Sequence, residues 1–154
     1  MVGLGQPRNG WPARPQWCAE AVLARALPII AAMKGHHHTA DLSGCPVDRA
    51  VMTEPQALQM LCIAAVHAAG LTPVGELFHR FPAPGGVTGV VLLAESHLAV
   101  HTWPELGAVT LDAYVCNVGT DNSAAALQLV EHLIEALAPQ QVQRQCWLRG
   151  AGDR

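Results

Sequence analysis

The sequence is poor in charge and in aromatic rings. Only 14% of its 154 residues are Asp, Glu, Lys or Arg, and only 5% are Phe, Trp or Tyr. No basic run is longer than a pair and the formal net charge is −3, so the chain carries no electrostatic footprint for nucleic acid or for an anionic membrane. The five cysteines (Cys18, Cys45, Cys62, Cys116 and Cys146) are odd in number, and no two are spaced C-x-x-C. That argues against a disulfide framework and a zinc ribbon, and for a reducing, cytoplasmic setting. A long apolar run is lacking too. The most apolar N-terminal stretch, residues 21–33, is broken by Arg25 and Pro28 and is too short to span a bilayer. It has no small-residue cleavage site after a basic start, so no secretory signal is expected.

What is present is hydrophobic. Apolar residues make up 51% of the chain, enough for the core of one domain of ordinary size. Residues 1–33 read as an extension, partly disordered. Gly, Pro and Arg dominate up to residue 16, and a short apolar helix interrupted at Pro28 follows. The patterned region, 34–150, reads as one domain. Residues 36–43 form a strand. Thr53 and Gln56 make a capping-box signature, followed by Leu58, Leu61, Cys62, Ala65 and Ala69 at helical spacing, and Gly70 ends that helix. Strands are expected over 73–81, 87–94, 97–103 and 108–116, the last with apolar residues alternating with Thr110, Asp112, Tyr114 and Cys116. A second helix starts at the Asp121-Asn122-Ser123 cap, presents Leu127, Val130, Ile134 and Leu137, and stops at Pro139; residues 141–148 give a last strand. The order β-α-β-β-β-β-α-β implies an α+β fold, a two-layer sandwich of a mostly antiparallel sheet with two main helices on one face. The bare face needs a cover, and a second copy of the chain, dimerising through the sheet, is the economical one.

One stretch concentrates reactive side chains in apolar surroundings: Leu93-Ala-Glu-Ser-His-Leu-Ala-Val-His-Thr-Trp-Pro-Glu105. A serine beside a strained peptide bond, with a base in reach, can attack its own preceding carbonyl; β-elimination from the resulting ester then breaks the chain. The run Glu-Ser-His-Leu-x-Val-His-Thr-Trp-Pro-Glu at 95–105, together with Phe78-His-Arg-Phe81 and Gly86-Val-Thr-Gly-Val-Val91, closely resembles the signature of prokaryotic S-adenosylmethionine decarboxylase proenzymes, across roughly residues 34–148.

The resemblance implies that the chain cuts itself between Glu95 and Ser96 and turns Ser96 into a catalytic pyruvoyl group. This is an electron sink for decarboxylating S-adenosylmethionine, and no separate cofactor is then needed. It implies His101 as the base of processing, Thr88 as the hydroxyl that supports it, and Cys116 as the acid that reprotonates the substrate carbon. Phe81 would stack on adenine and Glu105 would hold the ribose hydroxyls. The product would feed spermidine synthesis, and the working form would be a dimer of cleaved protomers. The chain departs from the family pattern in one extra residue between Phe81 and Thr88, in Leu106 where an aromatic is usual, in Asn117 after the cysteine, and in the N-terminal extension. Other readings of the same residues are a pyruvoyl decarboxylase of arginine or ornithine, an unprocessed regulatory paralogue, and a Cys116/His101 hydrolase.

The remaining candidates read as structural. On a strand only His36 and His38 share a face, and no carboxylate or cysteine nearby completes a tetrahedral set, so no metal site is expected. Tyr114 and Trp103 read as packing residues. Cys18, Cys62 and Cys146, with Cys45 after Gly44, read as thiols without a task.

Overall fold

The computed structural model describes residues 34–83, 85–117 and 121–150. The expected N-terminal extension and its short helix lie outside them. Six strands form one sheet: β1 (Gly35–Ser43), β2 (Pro73–Arg80), β3 (Val87–Leu93), β4 (Ser96–Trp103), β5 (Ala108–Cys116) and β6 (Gln141–Arg149). Two helices, α1 (Pro55–Ala68) and α2 (Ser123–Leu137), pack against each other and against the same side of the sheet. The strand order is β2-β3-β4-β5-β1-β6, and every neighbouring pair is antiparallel. The expected two-layer α+β sandwich is what the chain forms. Among the described residues no helix is long and apolar enough to cross a membrane.

Alternation along the strands decides the two faces. Ala40 and Leu42 of β1, Val87 and Val91 of β3, Leu98 and Val100 of β4, and Val109, Leu111 and Ala113 of β5 are all buried beneath the helices. Opposite them lie Leu58, Cys62, Ala65 and Val66 of α1, and Ala126, Leu129, Leu133 and Leu137 of α2. Spacings of three and four residues put each set on one helical stripe. Each fully buried Leu contributes about 1.5–3 kcal/mol of transfer free energy. Leu127, expected on the apolar face of α2, points away from the core and is 47% exposed; Leu129 and Leu133 hold that face instead.

The helix ends follow local chemistry, with one departure from expectation. Thr53 closes a 3-10 turn at Ala50–Met52 rather than capping α1. The helix starts one residue later, with Glu54 as N-cap and Pro55 at its first position. Proline fixes φ for that position and has no N–H to satisfy. Glu54 makes no cap bond; its carboxylate pairs with Arg80 at 3.2 Å. Gly70, at φ +73°, terminates α1 as expected. At the start of α2, Asp121 accepts the Ser123 backbone N–H at 3.0 Å. The bonds from Ser123 hold the Asp121 carboxyl below its ordinary range.

Candidate active site

β3 and β4 are joined by two residues, Ala94 and Glu95. Glu95 has φ +60°, a left-handed conformation that costs a side-chain-bearing residue roughly 1–2 kcal/mol. The bond expected to be cut therefore follows a strained residue at a tight turn. Ser96 opens β4, and its Oγ accepts the backbone N–H of Cys116 at 2.9 Å. The Cys116 carbonyl accepts Asn122 Nδ2 at 2.9 Å, and its thiol lies 3.9 Å from the Lys34 carbonyl oxygen. Glu95, Ser96 and Cys116 thus share one end of the sheet. Beside them a cavity of about 180 Å³ is lined by Leu71, Leu93, Ala94, Ser96, Val115 and Asn122, among others.

The other candidates gather elsewhere. Thr88 and His101 are cross-strand partners on β3 and β4, hydrogen-bonded Oγ1 to Nδ1 at 3.0 Å. Both line a cavity of about 370 Å³ shared with Phe81, Trp103 and Glu105. Phe81 is half exposed, and its N–H is anchored on the Gly86 carbonyl at 2.9 Å. Glu105 projects from a 3-10 turn at Pro104–Leu106. Phe81, Thr88, His101 and Glu105 come together around this cavity. The expected meeting of His101 with Ser96 does not occur within one chain. They stand five positions apart on an extended strand, roughly 16 Å and well beyond the reach of an imidazole. A larger depression of about 790 Å³ between α1 and β2 contains none of these residues.

Further residues lie on the face of the sheet turned away from the helices. Tyr114 follows the same alternation as Cys116 on β5. A Cβ on Gly35 would stand 2.7 Å from the Tyr114 ring, so glycine lets that ring lie across the start of β1. Burial first, and then the neighbouring Cys116 sulfur, push the Tyr114 hydroxyl above the ordinary phenol value, against the pull of Arg149. The Arg149 guanidinium sits 5.6 Å from the ring centroid. Arg149 also donates to His37 Nδ1 at 3.1 Å, while His37 Nε2 donates to Asp112 at 2.8 Å and His97 reaches the same carboxylate oxygen at 3.3 Å. Arginine can only donate and a carboxylate can only accept, which fixes the roles of both His37 nitrogens. The alternation of Thr110, Asp112, Tyr114 and Cys116 was the sequence signal that could have joined Tyr114 to the site.

One expectation is overturned at the other edge. A cysteine does stand near His36 and His38: the β1–β6 register sets Cys146 opposite His38, 3.7 Å from its Nε2.

Comparison with known proteins agrees with this geometry. The profile of the S-adenosylmethionine decarboxylase family matches residues 36–150. The S-adenosylmethionine decarboxylase proenzyme of Aquifex aeolicus is 38% identical over 116 residues, covering 75% of this chain and 81% of that protein. The proenzyme of Thermotoga maritima is 39% identical over 108 residues, covering 70% and 78%. A solved structure of the adenosylmethionine decarboxylase from Aquifex aeolicus superposes with a TM-score of 0.68 at 35% identity, covering 77% of this chain and 92% of that one. The hairpin serine, the cysteine bonded to it and the shared fold lead to one conclusion: this chain belongs to the S-adenosylmethionine decarboxylase family.

Proposed function

We propose that the chain is a self-processing, pyruvoyl-dependent decarboxylase that converts S-adenosylmethionine to its decarboxylated form, the aminopropyl donor for spermidine. The observation that carries this reading is Ser96, placed directly after the left-handed Glu95 in a two-residue turn and bonded to Cys116. In the first step Ser96 Oγ attacks the Glu95 carbonyl carbon. The peptide C–N bond breaks and an ester forms, freeing the Ser96 amine. The Cys116 N–H already points at Oγ and stabilises negative charge developing there. A base then takes the Ser96 Cα proton, and the Glu95 carboxylate departs. Water converts the remaining dehydroalanine to a pyruvoyl group and ammonia.

Ser96 fits this role, since its hydroxyl sits at the turn and its own proton is free for a base. The pyruvoyl group, once formed, supplies the electron sink for loss of CO2. The Cys116 thiol, on the residue whose N–H bonds Ser96 Oγ, is the group to return a proton to the carbon that loses CO2. Phe81 offers a half-exposed ring to the adenine, and Glu105 offers carboxylate oxygens to the ribose hydroxyls.

His101 is too far along β4 to serve its own Ser96, so we infer a site shared between two copies. The open face of the sheet carries Thr88 and His101 near one end and Cys116 at the other. Two such faces related by a two-fold axis would bring His101, Thr88, Phe81 and Glu105 of one protomer over Cys116 of the second and the end of the sheet where its β3–β4 turn meets Ser96. The exposed Leu77, Leu92 and Trp103 on that face suit burial between copies. Cys45, Cys62, Cys116 and Cys146 are all free thiols, which suits a cytoplasmic enzyme.

The test is a denaturing intact-mass spectrum with an assay of CO2 release from S-adenosylmethionine. Chains of 95 and 59 residues, the shorter with a blocked N-terminus, are expected from the 154-residue precursor. A single uncut chain after long incubation would sink the proposal.

A further inference from the structure

We propose that His36, His38 and Cys146 form a site for a borderline-soft divalent metal ion, Zn²⁺ foremost, on the helix side of the β1–β6 edge. This is not the face that carries Thr88, His101 and Cys116. His36 and His38 fall on the same face of β1 as the buried Ala40 and Leu42, so their rings point toward the helix layer. The pairing of β6 with β1 sets Cys146 directly opposite His38 and on that same side. Two ligands at i and i+2 with a third across the ladder are thereby held by backbone hydrogen bonds rather than by a loop.

The distances suit a metal. Cys146 Sγ lies 3.9 Å from His36 Nδ1 and 3.7 Å from His38 Nε2. All three residues place a ligand atom within 4.8 Å of the others. Tetrahedral zinc, with Zn–S near 2.3 Å and Zn–N near 2.0–2.1 Å, fixes S···N separations of about 3.6 Å and an N···N separation of about 3.3 Å. The sulfur is already within a few tenths of an ångström of those values, and small rotations of the imidazoles close the rest. Two imidazoles and a thiolate select zinc-like ions over Mg²⁺ and Ca²⁺, which prefer oxygen.

The surroundings leave a fourth position open. A cavity of about 250 Å³ beside His38 and Cys146 is bounded by Thr39, Leu127, Val130 and Arg144, with room for water or a small anion on the metal. The nearby Arg144 charge is offset, because its guanidinium is engaged by both carboxylate oxygens of Glu131. A metal there would clamp β6, an edge strand exposed along its whole length, onto β1. Without metal the same approaches are S–H···N and N–H···S hydrogen bonds, which is the reading the test must exclude.

The test uses the full-length processed protein and Co²⁺ as a spectroscopic stand-in for Zn²⁺. One Co²⁺ per cleaved protomer is expected, with the strong visible absorption of a tetrahedral site and a thiolate-to-cobalt charge-transfer band, both abolished by added Zn²⁺. Cys146→Ser should remove the charge-transfer band and weaken Zn²⁺ by more than about a hundredfold, beyond the loss typical of a group that only supports a ligand. His38→Gln should weaken Zn²⁺ while keeping the sulfur band. Zn²⁺ should raise the melting temperature of the parent protein but not of Cys146→Ser. Cys146 is exposed, so that variant should fold and cut itself normally, which serves as the control. Absence of stoichiometric binding at micromolar Zn²⁺, or a charge-transfer band that survives Cys146→Ser, would overturn the proposal.

Discussion

Ser96 and His101 stand on the same strand with four residues of extended chain between them, and only His101 touches Thr88. From this arrangement follows a complementation experiment. His101→Ala alone should remain uncut, and Ser96→Ala alone should remain uncut. Co-expressed, they should form mixed dimers in which the intact His101 of the Ser96→Ala chain acts on the intact Ser96 of the other. Mass spectrometry should then find cleavage only in the His101→Ala chain. No cleavage in verified mixed dimers would place the base within one protomer and refute the shared site.

The bond between Ser96 Oγ and the Cys116 N–H separates two roles that one variant would confuse. Ser96→Ala should abolish both cleavage and decarboxylation. It should also leave the Cys116 N–H unsatisfied, at about 1–3 kcal/mol of stability. Cys116→Ala keeps its backbone N–H, so the chain should still cut itself. Its decarboxylation should fall by about a hundredfold or more, the usual scale for loss of a positioned proton donor. An uncut Cys116→Ala chain would contradict the assignment.

Much of the fold was legible because period and punctuation agreed. Strand β5 alternates apolar and polar residues from Val109 to Tyr114, and Gly70 and Pro139 stop the helices where they stand. Thr53 misled: the capping-box spacing was present, but Pro55 suits the first helical position and Glu54 spends its carboxylate on Arg80. The separation of Ser96 and His101 was missed, although the strand expected over 97–103 already implied it: five positions along an extended chain take a side chain out of reach. The approach of Cys146 to His36 and His38 was not legible. Nothing local in the sequence says that β1 lies between β5 and β6, and a ladder register over more than a hundred residues of separation is set by the whole sheet.

The left-handed Glu95 offers a way to measure how far strain drives the cut. In a Ser96→Ala background, Glu95→Gly should raise stability by about 0.5–1 kcal/mol, because glycine adopts φ +60° without the side-chain penalty. With Ser96 intact, the same change should slow cleavage by up to about fivefold, each 1.4 kcal/mol being a factor of ten. Unchanged cleavage together with raised stability would mean that strain is not spent on the reaction.

Cys62 lies wholly inside the core, and burial pushes its thiol up to about 12 from 9.0. The unfolded thiol ionises at the lower value while the folded one stays protonated. Its contribution is therefore fully present below pH 9.0 and is lost as the pH rises through about 12. Urea midpoints measured across that window should fall, and Cys62→Ala should flatten the decline. An equally steep decline in the variant would remove Cys62 as its cause.

The order of strands carries a consequence for the cut molecule. A break between Glu95 and Ser96 leaves β1, β2, β3 and α1 on one polypeptide and β4, β5, β6 and α2 on the other. Yet β1 is sewn between β5 and β6, and β3 remains zipped to β4. The two polypeptides would share one woven sheet and one core, with no seam along which they could part. Cleavage would thus free a chain end for chemistry while the fold keeps both halves.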